Sequence, residues 1–282
     1  MIERDKKILI VGLGLMGGSY AQRLHDIGYD VYAIDVDEQA LIDAKKEGVI
    51  KNKDETNEEL ISNSDIIILC IYPSMMASWI EKHNHLFKDN TLITDISGVK
   101  GCVVDQIQNV LKKSCEFISM HPMAGRETKG FKNRDTNIFL PANMIVVPTE
   151  KNTKEAISFA YDLSVLLRFK NVEMLSVEEH DAMIGYLSQL PHAIAVALIN
   201  CRDTNHLHKY TGDSFRDLTR IAKINESLWS ELFMSNKENL LPLIDTFINE
   251  LSSLRDDIAN SDIDSLKQKF ISSTERRKAF DK

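Results

Sequence analysis

Near the amino terminus the chain reads Ile8-Leu9-Ile10-Val11-Gly12-Leu13-Gly14-Leu15-Met16-Gly17. Four consecutive aliphatic residues fit a short strand of a parallel sheet that is buried on both faces. In the G-x-G-x-x-G spacing, Gly12 allows a tight turn, Gly14 lets a pyrophosphate approach the backbone, and Gly17 lets helix and strand pack closely. A helix predicted over about residues 14–27 would direct its free N–H groups at the phosphates. All six residues from 12 to 17 are therefore predicted cofactor contacts.

The next predicted strand, residues 31–34, ends at Asp35, which lies 18 residues after Gly17. A carboxylate at this place can accept hydrogen bonds from both ribose hydroxyls and would repel a 2′-phosphate. We therefore expect Asp35 to bind the cofactor, and we expect NAD rather than NADP. The alternative is a glycine-rich turn in an α/β fold without any cofactor.

Strand and helix patterns alternate up to about residue 173, and this order predicts an α/β fold with a doubly wound, Rossmann-type, mainly parallel sheet. From the Ser-x-x-Glu capping box at residues 176–179 onward, the pattern is helical almost to the end. Residues 181–201 form a long apolar segment that Pro191 should kink. We predict a dinucleotide-binding domain over 1–173 and a helical substrate-binding and dimerisation domain over 174–282.

The composition excludes several classes of protein. Among 282 residues, 34 Lys and Arg stand against 42 Asp and Glu, for a net charge of −8. This balance argues against nucleic-acid binding and against a polybasic membrane contact. No signal peptide or membrane span is predicted. The cysteines Cys70, Cys102, Cys115 and Cys201 are scattered without metal-binding spacing, so we expect small buried residues in a cytoplasmic protein with no metal site.

Two histidines are candidates for chemistry. A dehydrogenase acting on an alcohol needs a group that takes the hydroxyl proton, and histidine suits this because its pKa lies near neutrality. His121 follows a predicted strand, where ligands bind in open parallel sheets. His192 lies inside an apolar helix, which favours a buried histidine with internal hydrogen bonds. His180, in the first turn of that helix, is interpreted as a residue without a functional role. The remaining histidines are predicted at the surface: His25, His83, His85, His206 and His208.

Arg220 lies between apolar neighbours in the segment 217–222. A guanidinium in that company either pairs with an internal carboxylate or binds an anionic substrate. The local sequence favours the internal pair.

Taken together, these residues resemble the prephenate/arogenate dehydrogenase family of tyrosine biosynthesis over nearly the whole chain. The segments that carry the resemblance recur in order and with similar spacing: Gly12–Ser19, Asp95–Gly101, His121–Glu127, Leu190–Ala193, Phe215–Ala222, Trp229 and Asn236–Asn239. The resemblance implies an NAD(P)-dependent oxidative decarboxylation, which converts prephenate to 4-hydroxyphenylpyruvate or arogenate to tyrosine. Because the motifs around His121 are most similar to bacterial prephenate-using members, prephenate is the expected substrate.

The resemblance also implies roles for single residues. His121 corresponds to the catalytic histidine that hydrogen-bonds the 4-hydroxyl, and Arg220 to the arginine that pairs with a substrate carboxylate. His192 corresponds to a substrate-pocket histidine, and Glu127 to an acidic residue that gates the pocket. Trp229 corresponds to a substrate-binding residue that is contributed at a dimer interface. These assignments reverse the local interpretations of His192 and Arg220. Since the substrate carries two carboxylates, Arg126 or Lys100 is expected to assist Arg220 in a cationic pocket.

One position departs from the family pattern. Family members commonly carry Gly-Ser in the turn where this chain has Ser97-Gly98. That serine assists the catalytic histidine and the substrate hydroxyl. Ser97 is therefore assigned to catalysis with a displaced position, and a backbone N–H or a water is the alternative.

Two other functions fit parts of the sequence. Another β-hydroxyacid-type dehydrogenase would share the domain order, but such enzymes often use a lysine in the long helix, and residues 185–200 contain none. An NAD-sensing regulatory module would share the loop and have no use for His121, His192 and Arg220. A homodimer through the helical domain is expected from the resemblance.

Overall fold

Seven strands form one sheet in the computed structural model, which describes residues 2–126, 128–203 and 205–281. The strands are β1 (Lys7–Val11), β2 (Asp30–Ile34), β3 (Ile66–Leu69), β4 (Leu92–Asp95), β5 (Glu116–Pro122), β6 (Asn143–Val147) and β7 (Asn171–Met174). Their spatial order is β2-β1-β3-β4-β5-β6-β7. Strands β1 to β5 are parallel, β6 is antiparallel to β5, and β7 is parallel to β6. The predicted mainly parallel, doubly wound sheet is confirmed.

Helices connect the strands on both faces of the sheet. They are α1 (Leu15–Asp26), α2 (Glu38–Lys46), α3 (Asn57–Ser62), α4 (Pro73–His83), α5 (Val104–Val110) and α6 (Lys154–Leu167). Side chains alternate along β1, so Ile8 and Ile10 face the layer that contains α1 and α6, and Leu9 and Val11 face the opposite layer. Burial on both faces explains the unbroken aliphatic run, because none of the four positions from Ile8 to Val11 faces water.

The carboxyl-terminal part is helical, as predicted. Its helices are α7 (Val177–Ile184), α8 (Leu190–Asn200), α9 (Asp213–Thr219), α10 (Glu226–Ser235), α11 (Lys237–Ala259) and α12 (Ile263–Arg277). A π-helical turn, Gly185–Gln189, joins α7 to α8 without a break. This turn ends two residues before Pro191, whose missing N–H removes one helical hydrogen bond, so a wider helical turn lies where the kink was expected.

Internal contacts divide the chain into two units, residues 1–236 and residues 237–282. The first contains the sheet and the helices α1 to α10, and the second contains α11 and α12. The sheet ends at Met174, close to the boundary predicted from sequence. A division at residue 173 into cofactor and substrate domains stays a prediction.

The continuous helix over residues 177–200 is long and apolar enough, by length and composition alone, to cross a membrane. Its first turns nevertheless bury two ionisable side chains, His180 and Asp181, against the rest of the protein. Core helices of soluble proteins pass the same test of length and composition. In the single chain 28% of this window is buried, and length and composition alone do not make the helix a membrane span.

The parallel strands direct their carboxyl ends to one edge of the sheet. Gly12 follows β1, Asp35 follows β2, Asp95 ends β4, and His121 lies near the end of β5. Ligands of open parallel sheets bind at this edge. The fold therefore brings the predicted cofactor and catalytic residues to the same side of the molecule.

Candidate active site

The loop after β1 is shaped by two glycines. Gly12 has a φ of +96°, and a Cβ there would lie 2.5 Å from the carbonyl oxygen of Cys70. A Cβ at Gly17 would lie 1.9 Å from the carbonyl oxygen of Gly12. Both positions therefore exclude any side chain, the first by conformation and contact, the second by contact alone. The roles predicted for a tight turn and for close helix packing match this geometry.

Gly14 differs from these two, because a Cβ there would meet no described atom within 4 Å. It is the residue before α1, and the described structure gives this helix end no side-chain cap. The space beside Gly14 is therefore open next to the uncapped start of α1, which suits a phosphate.

Asp35 is tied to this loop. Its Oδ2 accepts a hydrogen bond from the Leu13 N–H, and its Oδ1 accepts one from the Asp37 N–H at 2.7 Å. A carboxylate oxygen carries two lone pairs, so each oxygen can accept one further bond from a ribose hydroxyl. The loop, the helix end and Asp35 together fit a dinucleotide.

A buried ion pair lies under the turn after β4. Lys100 is fully buried, and its Nζ lies 2.8 Å from Asp95 Oδ2 and 2.8 Å from the carbonyl oxygen of Met120. Asp95 Oδ1 also accepts hydrogen bonds from the Ser119 hydroxyl at 2.6 Å and from the Met120 N–H at 3.1 Å. Burial alone would raise the pKa of Asp95, but Lys100 and these donors hold it below its usual value.

This pairing corrects one expectation about Lys100. A lysine that is fully buried and bonded to Asp95 does not serve as a solvent-facing cation for substrate carboxylates. Instead, it links the turn after β4 to the end of β5, because it binds Asp95 and Met120 at once. His121 follows Met120 directly, so Lys100 helps to fix the backbone that carries His121.

Ser97 takes part in the same network. Its hydroxyl donates to Asp95 Oδ2, lies 2.9 Å from the carbonyl oxygen of Val99, and accepts a hydrogen bond from Lys100 Nζ at 3.1 Å. Only 4% of this residue is exposed. The structure thus engages the Ser97 hydroxyl with the ion pair, and its catalytic role stays a prediction.

Gly98 is the residue of this turn that faces the catalytic candidate. A Cβ at Gly98 would lie 3.7 Å from His121 Nε2 and 3.5 Å from Leu232 Cδ2, which are ordinary contact distances. The place where the family pattern puts a serine is therefore open beside His121 in this chain.

His121 is linked to two residues of α7. Its Nδ1 lies 2.8 Å from His180 Nε2, and His180 Nδ1 lies 2.7 Å from Asp181 Oδ1. Asp181 in turn accepts hydrogen bonds from the N–H groups of Lys100 at 2.8 Å and Gly101 at 2.7 Å. Sequence reasoning missed His180 and Asp181 as members of the site, since His180 was interpreted as a residue without a functional role.

Burial keeps both imidazoles neutral at neutral pH. It lowers the pKa of His121 well below the ordinary 6.5, and the neighbouring His180 and the Lys100 ammonium lower it further. Burial also lowers the pKa of His180, although the hydrogen bond to Asp181 opposes this shift. A neutral histidine has one acceptor nitrogen and can receive a proton.

His192 lies on α8 and stacks on Trp229 of α10. The ring centroids are 3.6 Å apart at an interplanar angle of 28°, and His192 Nδ1 lies 2.8 Å from the carbonyl oxygen of Ser188. The half-buried position and the stacking orient the imidazole. The structure thus brings together two of the residues that the resemblance assigns to substrate, within one chain.

Helix α10 is held against the long helix by amide side chains. Gln189 donates to the carbonyl oxygen of Leu232 at 2.9 Å, and Asn236 donates to the carbonyl oxygen of Asp181 at 2.9 Å and to Gln189 Oε1 at 2.8 Å. Gln189 and Asn236 are both buried. These bonds fix Leu232 beside Gly98 and Trp229 beside His192.

The expected cations occupy different settings. Arg220 begins a short 3-10 turn, Arg220–Ala222, and is exposed. Arg126 is exposed and forms an ion pair with Asp135 at 2.5 Å. Glu127, the predicted gating residue, lies outside the described residues.

Comparisons with known proteins agree with this arrangement. Two family models match the chain, the nucleotide-binding domain of prephenate dehydrogenase over residues 20–171 and the dimerization domain of prephenate dehydrogenase over residues 176–272. A prephenate dehydrogenase of Bacillus subtilis is 28% identical and aligns with 96% of this chain and 75% of the relative. A cyclohexadienyl dehydrogenase of Zymomonas mobilis is 28% identical and aligns with 98% of this chain and 96% of the relative.

A solved structure extends the similarity to three dimensions. The prephenate dehydrogenase from A. aeolicus, in complex with hydroxyphenyl propionate and NAD+, superposes with a TM-score of 0.89. It is 29% identical, and the match covers 100% of both chains.

Proposed function

The chain belongs to the prephenate dehydrogenase family, and we propose that it catalyses the NAD-dependent oxidative decarboxylation of prephenate to 4-hydroxyphenylpyruvate in tyrosine biosynthesis. The observation that carries the proposal is the setting of His121. A neutral, half-buried histidine lies at the carboxyl edge of the sheet that also bears a dinucleotide loop. That combination supports oxidation of an alcohol, which needs both features.

The cofactor contacts follow from the loop. We assign residues 12–17 and Asp35 to NAD, because Gly12 and Gly17 shape the turn, Gly14 leaves room, and Asp35 keeps acceptor capacity for ribose hydroxyls. When bound, NAD+ supplies the nicotinamide ring that takes the hydride from C4 of the substrate.

His121 is assigned the central catalytic role. Positive charge develops at C4 and its hydroxyl as the hydride leaves, and a hydrogen-bond acceptor at that hydroxyl stabilises it. Loss of carbon dioxide from C1 then returns an electron pair to the ring, which becomes aromatic. His121 Nε2 is the acceptor in this proposal.

The remaining pocket residues are assigned to binding. Arg220 pairs with a substrate carboxylate, since a guanidinium binds carboxylates in a planar, two-bond geometry. His192 and Trp229 line the pocket as a stacked pair, and Glu127 gates it. Ser97 supports catalysis indirectly, through its hydrogen bonds with Asp95 and Lys100.

The assembly and compartment complete the proposal. We propose a cytoplasmic homodimer that forms through the helical region, for which the match to a dimerization domain over residues 176–272 is the main support. Large apolar side chains on the long helix, including Met183, Tyr186 and Leu187, are exposed in the single chain. A second copy would cover them.

The direct test is NADH formation with purified protein, NAD+ and either prephenate or arogenate. We expect turnover with prephenate and a lower kcat/KM with arogenate. Preference for arogenate would reassign the substrate within the family, as the similarity to a cyclohexadienyl dehydrogenase allows. Measured NAD binding without turnover of either compound would favour a regulatory module instead.

A further inference from the structure

A chain of hydrogen bonds runs from His121 into the protein interior and ends at a carboxylate. We propose that His180, held by Asp181, is a positioning residue that fixes His121 in the tautomer with a proton on Nδ1 and a lone pair on Nε2. The use made of that lone pair rests on the proposed function. The tautomer itself does not, because it follows from contacts within the chain.

The argument starts at Asp181, whose carboxylate is locked in place. Oδ1 accepts the Lys100 N–H at 2.8 Å and Oδ2 accepts the Gly101 N–H at 2.7 Å. Both donors are backbone N–H groups, which can donate a hydrogen bond but cannot accept one. Although burial would raise the pKa of Asp181, the bonds to His180, Gly101 and Lys100 keep it below its usual value. Asp181 is therefore an anion that only accepts hydrogen bonds.

The next link is His180, which is fully buried. Its Nδ1 lies 2.7 Å from Asp181 Oδ1, so Nδ1 must carry the proton. In a neutral ring, Nε2 is then an acceptor. His121 Nδ1 lies 2.8 Å from this nitrogen and must donate to it. The proton of neutral His121 is thus placed on Nδ1, and Nε2 carries the lone pair.

The competing pattern requires a doubly protonated His180. Its Nε2–H would then donate to His121 Nδ1, and the proton of neutral His121 would lie on Nε2, where it could not accept from a hydroxyl. The charged groups that face this pair are Lys100, Asp95 and Asp181. Burial and Lys100 oppose a second positive charge, and they outweigh the two carboxylates, since the pKa of His180 lies below 6.5.

The function of the arrangement is to keep Nε2 available on the open side. Gly98 leaves that side unobstructed, because even a Cβ there would lie 3.7 Å from Nε2. A group that holds a catalytic imidazole in its productive tautomer contributes strongly to turnover although it does not touch the substrate. We expect loss of this control to lower kcat by roughly 10²-fold and to leave KM nearly unchanged.

The first experiment needs no substrate. Long-range proton–nitrogen NMR spectra of the 15N-labelled wild-type protein distinguish the two neutral tautomers and the imidazolium. His83 provides an internal reference outside the site, because its Nδ1 lies 2.8 Å from the carbonyl oxygen of Trp79 and must be protonated. We expect His121 and His180 to show the same Nδ1–H pattern as His83 at neutral pH. An Nε2–H tautomer or an imidazolium at His121 would overturn the proposal.

The second experiment compares two substitutions of one residue. In His180→Gln, the side-chain oxygen can still accept from His121 Nδ1–H, whereas His180→Leu removes the acceptor. We expect the glutamine variant to retain at least roughly tenfold more kcat than the leucine variant, with similar KM. His83→Gln is the matched control and should behave as wild type.

The outcomes separate this proposal from the proposed function. Equal kcat in the two folded His180 variants, or a leucine variant within about twofold of wild type, would contradict the positioning role. Wild-type protein that turns over neither prephenate nor arogenate would contradict the function, while the NMR pattern would still decide the tautomer. If both variants fail to fold, the wild-type spectrum alone decides.

Discussion

The nucleotide loop and the histidine site lie at the same edge of the sheet, but backbone forms the first and side chains form the second. The loop consists of backbone, and its shape depends on the absence of side chains at Gly12 and Gly17. The histidine site consists of buried polar side chains, and its links join residues 59 and 81 positions apart, His121 to His180 and Lys100 to Asp181. One region is thus sensitive to a single added carbon, and the other to the balance of buried charge.

The largest effect should follow from removing the buried cation. Lys100→Met leaves Asp95 as a buried carboxylate without its counter-ion, and breaking a buried pair in this way typically costs about 3–5 kcal/mol of unfolding free energy. Urea unfolding measures it. Lys88→Met is the control, because Lys88 pairs with Asp65 at the surface and should contribute less than about 1 kcal/mol. Equal losses of unfolding free energy in the two variants would remove the contrast between the buried ion pair and the surface pair.

The loop can be probed with one carbon atom at two positions. Gly17→Ala places a Cβ 1.9 Å from a backbone oxygen, so we expect a lower Tm and NAD binding weakened at least roughly tenfold. In Gly14→Ala the Cβ meets no described atom within 4 Å, so Tm should stay unchanged while NAD binding weakens, since the pyrophosphate needs that space. Calorimetry of unfolding and of NAD binding measures both. A Gly14→Ala variant that binds NAD as wild type does would place the phosphates elsewhere.

A smaller effect is expected in the turn after β4, at Gly98. Both serine and alanine fit there, because the Cβ contacts to His121 and Leu232 are ordinary. Beside His121 Nε2, a serine hydroxyl can form a hydrogen bond with the substrate hydroxyl. The methyl group of alanine cannot. One hydrogen bond contributes about 1 kcal/mol, so kcat of Gly98→Ser should exceed that of Gly98→Ala by roughly fivefold. Steady-state kinetics with prephenate measures the ratio, and identical values would mean that this side of His121 does not face the substrate hydroxyl.

The same contrast explains what could be predicted from the sequence. The loop, Asp35 and the buried strands lie in short consecutive segments of the sequence. The fold predicted from these segments, a mainly parallel sheet, was confirmed. Strand β7 escaped prediction because it is an exposed edge strand without an aliphatic run. Helix α3 was not predicted individually, although its sequence contains a signal for a helix start. Thr56 and Glu59 form a capping box of the same kind as the one at residues 176–179.

The histidine site was predicted only in part. His121 was identified because it follows a strand, which is a local feature. His180 and Asp181 look like the acidic first turn of a helix, and nothing nearby shows that they face the end of β5. Lys100 was expected in a cationic substrate pocket, because the sequence does not show that it is buried against Asp95, whose ionisation depends in turn on the fold.

The central claim is that His121 is the acceptor for the substrate hydroxyl, and His121→Asn tests it most directly. NADH formation from prephenate should be measured across pH together with NAD binding. In the wild type, turnover should be maintained at pH 6.5 and should fall only as the pH approaches the pKa of His121, which burial places well below 6.5, because protonation removes the acceptor. The variant should bind NAD within about twofold of wild type and lose 10²–10⁴-fold in kcat, as is typical for loss of a positioned base. Turnover within about threefold of wild type, with the same pH dependence, would contradict the account.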